Sequence, residues 1–392
     1  MSDRRIIYVA AFTRALATGV ACVALAFRFR DLSFSDAASG ALLTAGFSGA
    51  ALAALIATVA GDRLGRRAML VVLALLSAGG AAVVALCGGV WTVGAAIFVG
   101  MINDRSRGAA QILETSILPS TASDAERTKV FAWYNVLQDA GMAIGALAAV
   151  VGMFGYAGLM VVAAVLCGFL SRGVEAPART ERVRIAPETR SVLWRLSFLF
   201  SLDSFAGGFL VKTILAGYFA KKFDASEATV GVLFAVTGVM NALSHLGAAW
   251  LAKRIGLVNT MVFTHIPSSV LLATVPFMPN FWVAALLFVL REGLVEMDVP
   301  TRQSYVVAVV RPEERTFASG VTQLVRMGAS AAAPGIAGQL MTFMSASAPL
   351  WAGAGMKIAY DVMLWIALRR VKPPEEGERE RGKEGEREAR RS

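Results

Sequence analysis

Apolar residues in this chain come in long unbroken runs, separated by short clusters of charged and turn-forming residues. Runs such as 40–60, 68–88 and 130–151 approach or exceed the roughly 20 residues that an α-helix needs to cross about 30 Å of hydrocarbon. They do not alternate apolar with polar positions, so they read as helices and not as strands of a barrel. Cutting at the punctuation predicts twelve spans, near 6–27, 37–60, 68–88, 91–113, 128–151, 155–171, 195–218, 228–251, 258–276, 281–304, 316–340 and 348–368. The pattern predicts an all-α membrane protein built as two six-helix bundles, 1–171 and 195–370, joined by a basic, proline-containing cytoplasmic linker, 172–194. The stretch 371–392 holds seven Lys or Arg and seven Glu with almost nothing apolar, and is expected to be a disordered cytoplasmic tail.

Composition agrees with lipid as the main solvent, since 56% of the 392 residues are hydrophobic and 17% are charged. With the N-terminus inside, twenty basic residues fall on inner segments and four, Arg28, Arg30, Lys221 and Lys222, on outer ones. The positive-inside rule then puts both termini in the cytoplasm, in a multi-pass protein of the inner membrane. The net charge of +10 is accounted for by topology and lipid headgroups, so no nucleic-acid partner is called for. The opening MSDRR enters the first run without a small-residue cleavage site, which reads as a retained helix. Cys22, Cys87 and Cys167 lie in apolar runs without metal-ligand spacing and read as small core residues.

The halves repeat. DAERT at 124–128 matches PEERT at 312–316 with an offset of 188, and LSFSDAASGALL ending at Leu43 matches FDASEATVGVLF ending at Phe234 with an offset of 191. The second match places Ser35 and Asp36 on Ser226 and Glu227, helix N-cap signals on the outer side, and Gly40 on Gly231. A third echo sets DRLG at 62–65 on KRIG at 253–256. Small residues at Gly141 and Gly145, and the run 328–338, suit close helix approach, with Pro334 expected to kink its span.

After the second span comes TVAGDRLGRRAML, 58–70. It resembles the signature loop of the major facilitator superfamily, usually written GxLaDRxGRRxxL, with Asp62, Arg63, Gly65, Arg66, Arg67 and Leu70 at matching positions and Thr58 and Ala60 departing from it. The resemblance implies twelve helices in two pseudo-symmetric bundles and secondary transport by alternating access. It also implies that this loop links the cytoplasmic ends of the halves as a conformational gate.

Ionisable residues inside a bilayer cost several kcal/mol unless paired or hydrated, so each is a site candidate. Asp104 and Arg107 fall in span four, Asp139 in span five, Arg14 in span one and Asp203 in span seven; Arg291, Glu292 and Asp298 fall in span ten and Arg326 in span eleven. The repeat sets Asp104 on Glu292 at the predicted midplane, where transporter sites lie, and Gln138 on Arg326. Arg291 and Arg326 are expected to face Asp104 and Asp139 and to favour an anionic or strongly polar substrate. Arg291, Asp298 and Arg302 are spaced to share one helical face. His245 and His265, the two histidines of the chain, read as satisfied helix contacts.

The sequence contains no Walker loop, and neither cofactor nor metal is expected. Gradient coupling by a proton on a midplane carboxylate is the reading that remains, with Asp104, Asp203 and Glu292 as candidates. The reading is a monomeric secondary transporter of a small organic solute, in contact with membrane lipids. The alternative is a lipid or amphiphile translocase on the same fold; an integral-membrane enzyme has no nucleophile elbow or metal motif to support it.

Overall fold

A computed structural model describes residues 2–103, 108–121, 127–174, 187–299, 301–302, 305 and 315–368. Its α-helices are α1 Asp3–Asp31, α2 Asp36–Leu64, α3 Arg66–Leu86, α4 Val90–Gly100, α5 Ala109–Ile117, α6 Arg127–Leu147 and α7 Gly152–Gly168 in the N-terminal half. The C-terminal half contributes α8 Pro187–Gly208, α9 Lys212–Phe223, α10 Glu227–Ile255, α11 Leu257–Thr274, α12 Phe281–Val295, α13 Arg315–Phe343 and α14 Ala348–Leu368. Among the described residues, seven helical stretches are long and apolar enough to cross a membrane by length and composition. Large apolar side chains, among them Trp91 and Trp282 at the starts of α4 and α12, face outward, as a lipid solvent allows.

Among the described residues, three spans expected to be continuous are interrupted: spans four and seven are each split into two of the numbered helices, and span ten turns. In span four, α4 stops at Met101, which adopts a left-handed conformation, and α5 starts at Ala109; Asp104 and Arg107 lie outside the described residues. Span seven breaks at 209–211, where Phe209 and Leu210 close short-range backbone bonds to Ala206 and Gly207. Span ten turns at 296–297 before a short helical piece carrying Asp298 and Arg302. A continuous face from Arg291 to Arg302 therefore does not exist. Polar side chains make such breaks tolerable inside a membrane: Asn103 Nδ2 donates to the Met101 carbonyl at 2.8 Å. The helix α8 also starts at Pro187, inside the segment read as linker.

The repeat echoes are structural. Ser35 and Ser226 cap α2 and α10, each accepting a backbone N–H three residues on at 3.2 Å. Gly65 alone links α2 to α3 with φ 88°, and Gly256 links α10 to α11 with φ 86°, a region that favours glycine.

The buried core is organised differently at the two ends of the molecule. At the end bearing the α1–α2 loop, one apolar cluster runs across both halves, from Val20, Phe27 and Leu43 to Phe219, Phe234 and Phe288. At the end bearing the Asp62–Arg67 loop, each half has its own: Ile7, Leu113, Tyr134 and Cys167 in one, Phe200, Met261, Tyr305 and Tyr360 in the other. Met327 of α13 packs against the first of these.

Contact between the halves is made by α2 on α13, α6 on α10 and α1 on α9. Around the α1–α2 end it is close packed. A Cβ on Gly40 would strike the Pro334 carbonyl, one on Gly338 the Asp36 carbonyl, and one on Gly231 the Ala146 carbonyl. Gly141 and Gly145 instead bring α6 onto α1 within the N-terminal half.

Candidate functional site

Each half seals an ion cluster inside its own separate core. In the N-terminal half, Arg14 of α1 forks onto both carboxylate oxygens of Glu114 of α5, one contact at 2.6 Å. Tyr134 of α6 donates to the same carboxylate at 2.6 Å. Glu114 is 1% exposed, so the pair is a desolvated, bidentate one. Arg14 also borders a cavity of about 70 Å³ with Ser77, Asn103, Tyr156 and Cys167.

In the C-terminal half, Asp203 near the end of α8 gathers three cations. Arg302 donates to it at 3.0 Å, Lys357 of α14 at 2.9 Å, and Arg326 of α13 approaches to 3.7 Å. Arg302 also reaches Asp298 at 2.6 Å, and Arg326 donates to Ser204 at 2.8 Å. Lys357 lies 3.2 Å from Nε2 of His265 on α11, whose Nδ1 lies 2.9 and 3.0 Å from the two oxygens of Asp361. All of these except Arg326 are buried.

The two clusters are repeats of one another with the signs exchanged. Arg14 lies 189 positions before Asp203, and Glu114 lies 188 before Arg302. The arginine on the first helix of one half is thus an aspartate on the first helix of the other, and its partner changes sign with it.

Arg291 and Glu292 contact each other, with Arg291 over the Phe288 ring at 5.6 Å. An arginine side chain is long enough to fold back onto its neighbour, although adjacent helical positions do not face one another. Asp139 is half-buried on α6, and Gln138 beside it is buried with its Oε1 unpartnered. The expected meeting of Asp104 with Glu292 lies outside the described residues.

The shared-core end is closed by polar contacts across the halves. Lys221 pairs with Asp36 at 2.7 Å, Ala37 donates its backbone N–H to Thr342 at 3.0 Å, and Gly335 donates to Thr44 at 2.8 Å. A cavity of about 350 Å³ lies there between Phe27, Arg30, Lys221 and Met341. Partial burial raises the carboxyl of Glu227 above its ordinary value, with Asp31 adding to the rise and Arg30 opposing it. At the other end, Arg63 is exposed and Arg66 and Arg67 are half-buried; the Asp62 side chain lies outside the described residues.

The family model described as Major Facilitator Superfamily matches residues 7–202 and again 196–391, once per half. This chain belongs to the major facilitator superfamily. Membership points to a transporter and not an enzyme. Among solved structures, the nucleoside transporter NupG superposes with a TM-score of 0.72 at 14% identity, covering 95% of this chain and 100% of that one. The D-xylose-proton symporter gives 0.71 at 14% identity, covering 92% and 96%. The peptide transporter POT gives 0.72 at 14% identity, covering 94% of each. Identities this low show the fold. An uncharacterized membrane protein of Saccharomyces cerevisiae is 28% identical over 152 residues, 38% of this chain, and the match spans only 34% of that relative's length.

As a major facilitator protein, the chain carries its buried charges in places that sequence reading found only in part. Arg14, Asp203, Asp298 and Arg326 stand in or beside the clusters, whereas Arg291 and Glu292 form a pair of their own. Glu114, Tyr134, His265, Lys357 and Asp361 were not singled out as site residues. Two signals could have found them: the 188-residue offset puts Glu114 on Arg302, and Lys357 and Asp361 sit four apart in an otherwise apolar span.

Proposed function

We propose that this chain is a proton-driven secondary transporter that moves a small organic solute across the inner membrane by alternating access. The observation that carries the reading is the uneven core: the halves share one apolar cluster at one end and keep separate ones at the other. Two rigid bodies joined at one end can rock, exchanging the shared core for contact between the separate ones. Positive-inside counting sets the Asp62–Arg67 end in the cytoplasm, so the state described is closed to the outside. Asp62, Arg63, Gly65, Arg66 and Arg67 then act on the balance between states. Arg14, Asp139, Asp203 and Arg326, with Asp104 and Arg107 of span four, are the candidates for substrate and coupling.

The test is uptake into proteoliposomes under an imposed pH gradient, with nucleosides, sugars, short peptides and organic anions as the solute panel. Accumulation that collapses with a protonophore supports the reading; accumulation indifferent to it makes the protein a uniporter or gives it another coupling ion. Asp62→Asn is expected to change the ratio of inward- to outward-open states without altering solute affinity in a locked state. An affinity change with an unchanged ratio would remove the loop from the gate.

A further inference from the structure

We propose that the coupling proton is held by His265, in the chain Asp203–Lys357–His265–Asp361, and that its arrival there breaks the Lys357–His265 contact. The inference rests on the proton-driven reading above and names the site that such coupling uses.

The four groups form one chain of contacts across three helices. Lys357 Nζ donates to Asp203 Oδ1 at 2.9 Å and faces His265 Nε2 at 3.2 Å, and the opposite ring nitrogen meets Asp361 at 2.9 Å. One end of the line is sealed, with Asp361 and His265 at 0% and 1% exposure. The other end reaches Arg326, whose side chain is 25% exposed and approaches Asp203. The line therefore connects a buried interior to a group that is partly exposed.

Proton counting then restricts what the line can hold. The cluster contains three carboxylates, Asp203, Asp298 and Asp361, and three basic side chains, Arg302, Arg326 and Lys357. With all six ionised, the cluster is neutral when His265 is neutral. In that state Nδ1–H is donated to Asp361 and the Nε2 lone pair accepts from the Lys357 ammonium. Both contacts are satisfied.

One further proton, bonding to Nε2, makes His265 an imidazolium. The Nζ···Nε2 axis then carries a donor and a positive charge on each side, and 3.2 Å is too short for that. The ring stays paired with Asp361, so Lys357 is the group that moves, and Asp203 is the carboxylate that it already holds. Asp203 lies in the last two turns of α8, which ends at Gly208 before the break at 209–211, so such a displacement reaches the part of span seven next to its break. Histidine changes charge in the physiological range, whereas a permanently ionised cluster could be replaced by apolar packing at little cost.

The groups facing His265 are Lys357, Tyr360 and Asp361 of α14 and, beyond Lys357, Asp203 of α8; Tyr360 sets its ring edge-on at 6.2 Å. The charged pair on neighbouring α12, Arg291 with Glu292, is closed on itself.

The chain has two histidines, which makes the experiment direct. Protein labelled with 15N-histidine in lipid nanodiscs is titrated from about pH 8.5 to about pH 5 by NMR, the range in which histidine changes charge. His245→Gln and His265→Gln each remove one signal, and either alone assigns the spectrum. His265 is expected to start neutral with the proton on Nδ1 and to become doubly protonated across this range. Spin labels at Gly88 and Pro279, exposed positions on loops of the two halves at the closed end, report the conformational change by their distance. This arm uses a background without the native cysteines and with Glu227→Gln, which silences the pH-responsive carboxyl at that end. The distance should shift with the same midpoint as the NMR signal, and the shift should be lost in His265→Gln. A His265 that stays neutral, or stays charged, throughout the titration overturns the proposal, as does a titration that leaves the distance unmoved. Neither readout needs a solute, so a failure here is separate from a failure of the uptake assay.

Discussion

In the N-terminal half, one arginine meets one glutamate and a tyrosine closes the group: Arg14, Glu114 and Tyr134. At the repeated positions of the C-terminal half, Asp203 and Arg302 exchange the signs, and the pair grows to take in Asp298, Arg326, Lys357, His265 and Asp361. The smaller cluster is complete in itself and contains no histidine. The larger one holds a histidine between an ammonium and a carboxylate. Duplication therefore kept the strut, a buried pair that ties the first helix of each half to its fourth pass. It left only one half with a place where one proton alters the contacts.

The strongest way to separate the two clusters is to reverse their charges. Arg14→Glu or Glu114→Arg alone should cost about 3–5 kcal/mol by stranding a buried charge, and the double exchange should recover most of it, because Tyr134 serves either polarity. The corresponding exchange, Asp203→Arg with Arg302→Asp, should not recover, since Lys357 and Arg326 would then face a third cation at position 203. Thermal unfolding in detergent measures both; equal rescue in the two halves would mean that the clusters are equivalent.

Next in size is the shared end. Gly40→Val drives a side chain into the Pro334 carbonyl and should weaken the closed state by about 1–3 kcal/mol, roughly a 5- to 150-fold shift of the equilibrium away from it. Gly158→Val, where nothing lies within 4 Å, is the control. Disulfide yield between Ala37→Cys and Thr342→Cys, which bridge the halves, reads the closed fraction. Gly65→Ala and Gly256→Ala should each cost about 1–3 kcal/mol of backbone strain. A larger shift in the state ratio for Gly65→Ala alone would mark the signature loop as a gate that its copy is not.

The smallest effects belong to the exposed rim. Lys221→Gln should change the closed fraction by less than about 1 kcal/mol, and less again in high salt. Glu227, its carboxyl raised, is protonated early as pH falls and then stops repelling Asp31 across the halves. Acid should thus favour the closed end slightly, and Glu227→Gln should remove that part of the pH response.

The fold was legible because lipid imposes a coarse rule: about twenty apolar residues per pass, with charge at the ends. The repeat was legible in Ser35 with Ser226 and in Gly65 with Gly256, because caps and left-handed links demand particular residues at particular positions. The breaks in spans four and seven were not, since a membrane helix can stop and restart within an apolar run when neighbouring groups satisfy the backbone. The ion clusters were half legible. Spacing along one helix set Asp298 beside Arg302, but Lys357 to His265 and Arg14 to Glu114 are contacts between helices far apart in sequence. Only the offset between the halves carries that information, and it does so for the strut and not for the histidine, which has no counterpart in the first half.

The single-residue links at Gly65 and Gly256 have a mechanical meaning. A loop of several residues would act as slack rope, letting one helix tilt while the next stays still. A lone glycine between two long helices is a pin joint instead, free to swing but unable to lengthen. Whatever leans α2 away from α13, or α10 away from α6, leaves the near ends of α3 and α11 held at a fixed distance, so the angle at the elbow can change while its length cannot.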